Sequence, residues 1–88
     1  MAIEKGLYDL RKKFDPSLHF VLTNRLLLTK WVHYKGGHYL VLGVSWDATD
    51  DEWRIRYARA DGGPVEFSRT ITDWCSQLTV GPRFTEVK

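Results

Sequence analysis

The chain predicts a mainly β domain of the α+β class, a small antiparallel β-roll or barrel preceded by one amphipathic helix. Three observations carry that prediction. Segments rich in β-branched and aromatic residues recur at roughly 10-residue intervals between Gly-rich turns. The run from Trp31 to Gly43 folds two such segments about Lys35-Gly36-Gly37, the punctuation of a tight hairpin rather than of a helix. Ile3, Leu7, Leu10 and Phe14 recur at spacings of four, three and four, which lines them along one stripe of a helix over about residues 3–14.

Glu4 lies near the positive end of that helix and Arg11-Lys12-Lys13 near its negative end, where each sign suits the macrodipole, and Pro16 forbids continuation. The chain therefore divides into residues 1–16, the helix, and residues 17–88, the roll, with Asp15-Pro16-Ser17 as the stop. Leu18 to Leu22 is short and apolar enough to be either a buried strand or one helical turn, and periodicity does not decide between them. Thr23-Asn24-Arg25 reads as a turn, and Leu26 to Tyr34 then runs without Gly or Pro into the central hairpin.

Tyr39 to Trp46 is almost wholly apolar, as a strand buried on both faces or curled round a barrel must be, and Gly43 inside it marks a bend or bulge. Beyond the acidic loop at Asp47 to Asp51, Glu52 to Ala60 alternates, with Trp53, Ile55 and Tyr57 on one face and Glu52, Arg54 and Arg56 on the other. Asp61-Gly62-Gly63-Pro64 turns the chain, and Val65 and Phe67 mark another inward-facing strand. Ser68 or Thr70 is placed to cap a short helical turn that carries Ile71 and Trp74 inward, with Asp73 in the position of the capping-box acid. Gly81-Pro82 ends that element, and Arg83 to Val87 is long enough for a last edge strand.

Composition bounds the function. Eighty-eight residues make one domain, of a size that buries roughly 60 to 65% of the surface its unfolded chain exposes. Thirteen Lys and Arg against 11 Asp and Glu give a net charge of +2, too small to name a polyanion as partner. One cysteine, Cys75, makes no internal disulfide, which fits a cytoplasmic setting. The longest apolar runs fall far below the ~18 residues that span a bilayer, and no leader-like apolar segment opens the chain, so no membrane partner is expected.

His33 to Val44, Arg56-Tyr57-Ala58, Ser68 to Trp74 and Pro82-Arg83-Phe84 resemble, in order, the motifs of a bacterial and phage family known as domain of unknown function 1653. The resemblance covers about residues 31–87 and implies an SH3-like β-roll, with no settled biochemical role attached. Thr70 stands where that family has Pro and Trp74 where it has Phe, and the first helix lies outside the matched motifs.

No residue set reads as catalytic, and neither cofactor nor metal is expected. Cys75 lacks the signature of a nucleophile. His33 and His38 flank the turn and face each other in one hairpin register, but two imidazoles alone do not make a zinc site. Asp50-Asp51-Glu52 lacks the Gly and spacing of a calcium loop. The informative polar set is basic and aromatic. Arg54 and Arg56 share a strand face with Arg59 and Arg69 nearby, and Trp31, Tyr34, Trp46 and Tyr57 supply aromatic surface. The structural alternative is that the four Trp are core and the arginines are salt-bridged on an outer sheet face.

The expected function is a non-enzymatic interaction module that binds and modulates a protein partner, a phage-encoded regulator of a host protein being one form of it. His33, Tyr34, Lys35, Arg54, Arg56 and Arg69 form its binding surface, and Leu7, Leu10 and Phe14 form a helix face left unsatisfied in the monomer or buried in a homodimer. The alternative is an RNA- or DNA-binding roll acting through Arg54, Arg56, Lys35 and exposed aromatics.

Overall fold

A computed structural model describes residues 2–88, with side chains from Gly6 onward. Ile3 and Glu4, assigned above to the first helix's stripe and acidic start, lie outside the described side chains. Ten elements follow in order: α1 (Ala2–Leu10), α2 (Pro16–Leu26), β1 (Lys30–His33), β2 (His38–Asp47), β3 (Glu52–Arg59), β4 (Glu66–Thr70), α3 (Ile71–Trp74), β5 (Gln77–Leu78), β6 (Gly81–Pro82) and β7 (Phe84–Val87). Strands β4-β3-β2-β1-β7 form one antiparallel sheet, and β5 and β6 pair separately. The domain is thus mainly β with a few short helices. The sheet is open, with β4 and β7 as unpaired edges, and no closed barrel forms among the described residues.

The first helix is shorter than its periodicity predicts, ending at Leu10. Arg11 folds back over this end, donating from Nη1 to the Tyr8 carbonyl at 2.7 Å while its guanidinium lies 3.6 Å from the Tyr8 ring centroid. A second helix, where the sequence left Leu18 to Leu22 open and read Thr23-Asn24-Arg25 as a turn, runs unbroken through both. Asp15-Pro16-Ser17 stops one helix and starts the next: Asp15 accepts from the Ser17 N–H at 3.0 Å as N-cap, and Pro16 sits where a missing N–H costs nothing. Those hydrogen bonds hold the Asp15 carboxyl below its ordinary pKa. Leu18, Leu22 and Leu26, four apart, carry this helix onto the core and override the turn propensity between them.

One buried cluster gathers Leu7, Leu22 and Leu26 with Trp31, Val41, Val44, Trp53, Ile55, Tyr57, Ile71, Trp74 and Phe84. The sequence-based boundary near Pro16 therefore falls inside a shared core, to which α1 contributes a fully buried Leu7. Leu10 packs against the same core, whereas Phe14 is 67% exposed and leans on Trp46 at 5.0 Å. The stripe proposed as a helix interface is thus divided: Leu7 leaves a partner no surface, and Phe14 alone of the three faces outward.

Strand alternation fares better. Trp53, Ile55 and Tyr57 face the core, and the β2–β3 register slips at a bulge between Val41 and Gly43. The Arg56 guanidinium lies across Gly43, where an added Cβ would meet Nη2 at 2.5 Å, so a larger residue there has to displace the end of that side chain. Glu52, expected on the exposed face, is instead buried and accepts the Thr72 N–H at 2.6 Å. It satisfies the start of α3 together with Thr70, whose side chain accepts from the Asp73 N–H at 3.1 Å.

Candidate interaction site

The sheet curls until residues three or four strands apart share one concave face. Tyr57 on β3 lies 5.5 Å from Phe84 on β7, and the Arg69 guanidinium on β4 lies 5.7 Å from the same Phe84 ring, although β4 and β7 are opposite edges. Trp74 stacks on Phe84 at 3.9 Å with the planes 4° apart, while Phe67 stacks on Tyr57 at 5.5 Å. Tyr39 joins Tyr57, Phe67 and Phe84 edge-on. Stacked and edge-on contacts of this kind set the ring quadrupoles favourably and tie β3, β4, β7 and α3 to one another.

The hairpin turn places the rim of this cluster. Gly36 donates to the His33 carbonyl at 2.7 Å with φ of +98°, and His33 donates back to the Gly37 carbonyl at 2.8 Å. Glycine at that left-handed position lets the loop close with the strands' own twist. The turn spends Tyr34 to Gly37, so His38 pairs with Val32 and does not face His33, which corrects the register in which the two imidazoles meet. His33 pairs with Phe84, and Tyr34 donates to the Arg83 carbonyl at 2.9 Å. Rings of His33 and Tyr34 lie 4.5 Å apart, and the Lys35 Nζ and Arg83 guanidinium stand 5.7 and 6.0 Å from the Tyr34 centroid.

The electrostatics at this rim are one-sided. Arg69 donates from Nε to the Tyr57 hydroxyl and from Nη1 to Asp73, both at 2.7 Å. Arg83 stands 3.9 Å from the same Asp73, too far for a hydrogen bond, and its buried Nε has no acceptor. His33 accepts the Lys35 N–H at Nδ1, which assigns its proton to Nε2, and that buried atom has no acceptor either. Burial, followed by the charges of Arg69, Arg83 and Lys35, lowers the His33 pKa, so the ring is neutral at pH 7. Burial of Tyr57 raises its pKa.

Of the six residues singled out from sequence, the structure brings His33, Tyr34, Lys35 and Arg69 to this rim. Arg54 and Arg56 lie on the opposite, outer face of β3, away from Arg69, because β4 alternates Phe67 and Arg69 inward with Glu66 and Ser68 outward. There Arg54 pairs with Asp47 at 2.7 Å and donates to Ser68, and Arg56 pairs with Glu66 at 3.2 Å. Asp50 reaches Arg54 at 3.5 Å and Glu52 turns to α3, so the acidic run is divided between two structural tasks. Among the described residues no three His, Cys, Asp or Glu side chains gather as metal ligands. Cys75 is half-buried against the core and ends α3. Arg83 and Asp73 escaped sequence reasoning as site residues. Only the Pro82-Arg83-Phe84 motif pointed to the former.

A family model described as "Protein of unknown function (DUF1653)" matches residues 29–86. A crystal structure of a DUF1653 protein from Bordetella bronchiseptica is similar, at 31% identity and a TM-score of 0.57, over 74% of this chain and 91% of that one. No curated protein matches the chain. With more than half of its length inside the family model and a solved relative of the same family, the chain belongs to the DUF1653 family.

Proposed function

We propose that the chain is a non-enzymatic interaction module that binds and modulates a protein partner through the rim of the curled inner face, with a phage-encoded regulator of a host protein as one form of that role. The supporting observation is the pairing of the arginines. Arg54, Arg56, Arg59 and Arg69 each face a carboxylate, at 2.7, 3.2, 3.1 and 2.7 Å, which removes the row of free cations that a phosphate backbone requires. Exposed aromatic surface remains at Tyr34 and Phe67, the residue types that anchor protein interfaces. The curl that sets Arg69 over Phe84 supports reading the open sheet as an SH3-like roll, a scaffold whose use is decided by its surface residues. No described helix is long and apolar enough to cross a membrane, and a cytoplasmic setting belongs to this proposal.

The test is affinity capture from the native host, run in parallel with the unaltered chain and with Tyr34→Ala and Phe67→Ala. A protein retained by the unaltered chain and lost from both folded variants supports the reading. Equal recovery on all three chains overturns it. A nucleic acid recovered instead, with affinity falling steeply as salt rises, would favour the alternative roll that acts on RNA or DNA.

A further inference from the structure

Two arginines share one carboxylate at the rim. Asp73 binds Arg69 at 2.7 Å and leaves Arg83 at 3.9 Å, the nearest carboxylate that Arg83 has among the described residues. Lys35 adds a third cation beside Tyr34, and no described acid pairs with it. Arg83 Nε and His33 Nε2, each on a residue that contributes to this rim, are both buried without an acceptor. An N–H left so is costly, and the β1–β7 register sets the two residues that carry them near one another, His33 paired with Phe84 and Tyr34 bonded to the Arg83 carbonyl. On the outer face, by contrast, each arginine has its own acid.

We propose that the rim formed by His33, Tyr34, Lys35 and Arg83 binds the side-chain carboxylate of an acidic segment in a protein partner. This rests on the protein-binding reading above and names the chemistry of the partner. Arg83 supplies the planar fork that matches a carboxylate, Lys35 supplies long-range attraction, and Tyr34 offers its ring to an apolar neighbour of the acid. The incoming charge also offsets the positive field at His33. That field comes from Arg69 on β4, Arg83 ahead of β7 and Lys35 in the turn, the ring being otherwise enclosed by Tyr34, Tyr39 and Phe84. Binding therefore raises the His33 pKa.

The experiment titrates the full chain by NMR with a synthetic peptide alternating Glu and Phe, a Gln-for-Glu version of it, inorganic phosphate and a single-stranded oligonucleotide. Expected are shifts at His33, Tyr34, Lys35 and Arg83 with the acidic peptide alone, a His33 pKa higher in its presence, and affinity at least tenfold weaker in Arg83→Gln. The exposed Lys35→Gln, which leaves the core untouched, is expected to weaken binding severalfold, and Arg56→Gln to leave it unchanged. No shift at millimolar acidic peptide, equal binding of the Gln version, or stronger binding of phosphate or the oligonucleotide would overturn the proposal. A partner still captured in a Tyr34-dependent way would then show that the protein-binding reading survives with a partner of different chemistry.

Discussion

The inner and outer faces of β3 and β4 carry the same residue type in opposite circumstances. On the outer face Arg54 bonds Asp47 and Ser68, and Arg56 stretches over Gly43 to Glu66. Every charge there is answered locally, and the pairs tie strand to strand. On the inner face Arg69 is fixed by Tyr57 and Asp73 beneath an aromatic cluster, and the neighbouring Arg83 is left with a carboxylate already engaged. An arginine-rich sheet is therefore not a uniform basic surface. What separates structural from available charge is the ratio of acids to arginines within reach, not the number of arginines.

The inner face should dominate stability. Trp74→Ala removes a ring stacked on Phe84 and set against Trp31 and Tyr57, and should cost about 3–5 kcal/mol in chemical denaturation. A loss below ~1 kcal/mol would mean that the cluster is not the packed centre it looks. Glu52→Ala, which strips the buried acceptor from the Thr72 N–H, should cost about 1–3 kcal/mol, and Glu52→Gln less. On the outer face Arg56→Ala breaks an ion pair whose side chains are 42% and 50% exposed, and should change stability by less than ~1 kcal/mol, with the effect fading at high salt. An Arg56 effect as large as that of Trp74 would erase the distinction between the faces.

The smallest effect is a pH dependence from His33. Its folded pKa lies below the ordinary value near 6.5, so the unfolded chain takes up its proton first as pH falls. The stability it contributes is complete above about pH 6.5 and is lost progressively as pH falls toward the folded value. His33→Gln should flatten the denaturation midpoint over that window, and a slope unchanged by the substitution would assign it to other groups. Asp47, whose pKa the Arg54 hydrogen bond lowers, acts later: its contribution holds above the ordinary carboxylate range and is lost as pH falls below it.

Features set by neighbours in sequence were readable before the fold was known. The alternation of β3 at Trp53, Ile55 and Tyr57, the bulge at Gly43 and the Thr70 cap each depend on a few adjacent residues. The second helix was obscured because Phe20, Val21, Leu27 and Leu28 are apolar yet exposed, which blurs the stripe made by Leu18, Leu22 and Leu26. The site was readable only in part. His33, Tyr34 and Lys35 sit in one turn, but Arg83 reaches them through the β1–β7 register, and Arg69 parts from Arg54 and Arg56 through the phase of β4, neither of which composition encodes.

The α1–α2 layer has a bearing on how the family's span should be handled. The family model begins at residue 29, yet the Trp53 N–H donates to the Arg11 carbonyl at 2.9 Å and its indole N–H to the Lys13 carbonyl at 2.9 Å. Leu7, Leu22 and Leu26 also line the common core. A chain trimmed to the family's own limits would uncover the apolar side of the sheet and orphan both donors of Trp53. The span that the family model matches is thus shorter than the span that shares this core, and a minimal binding fragment should keep the α1–α2 layer with the sheet.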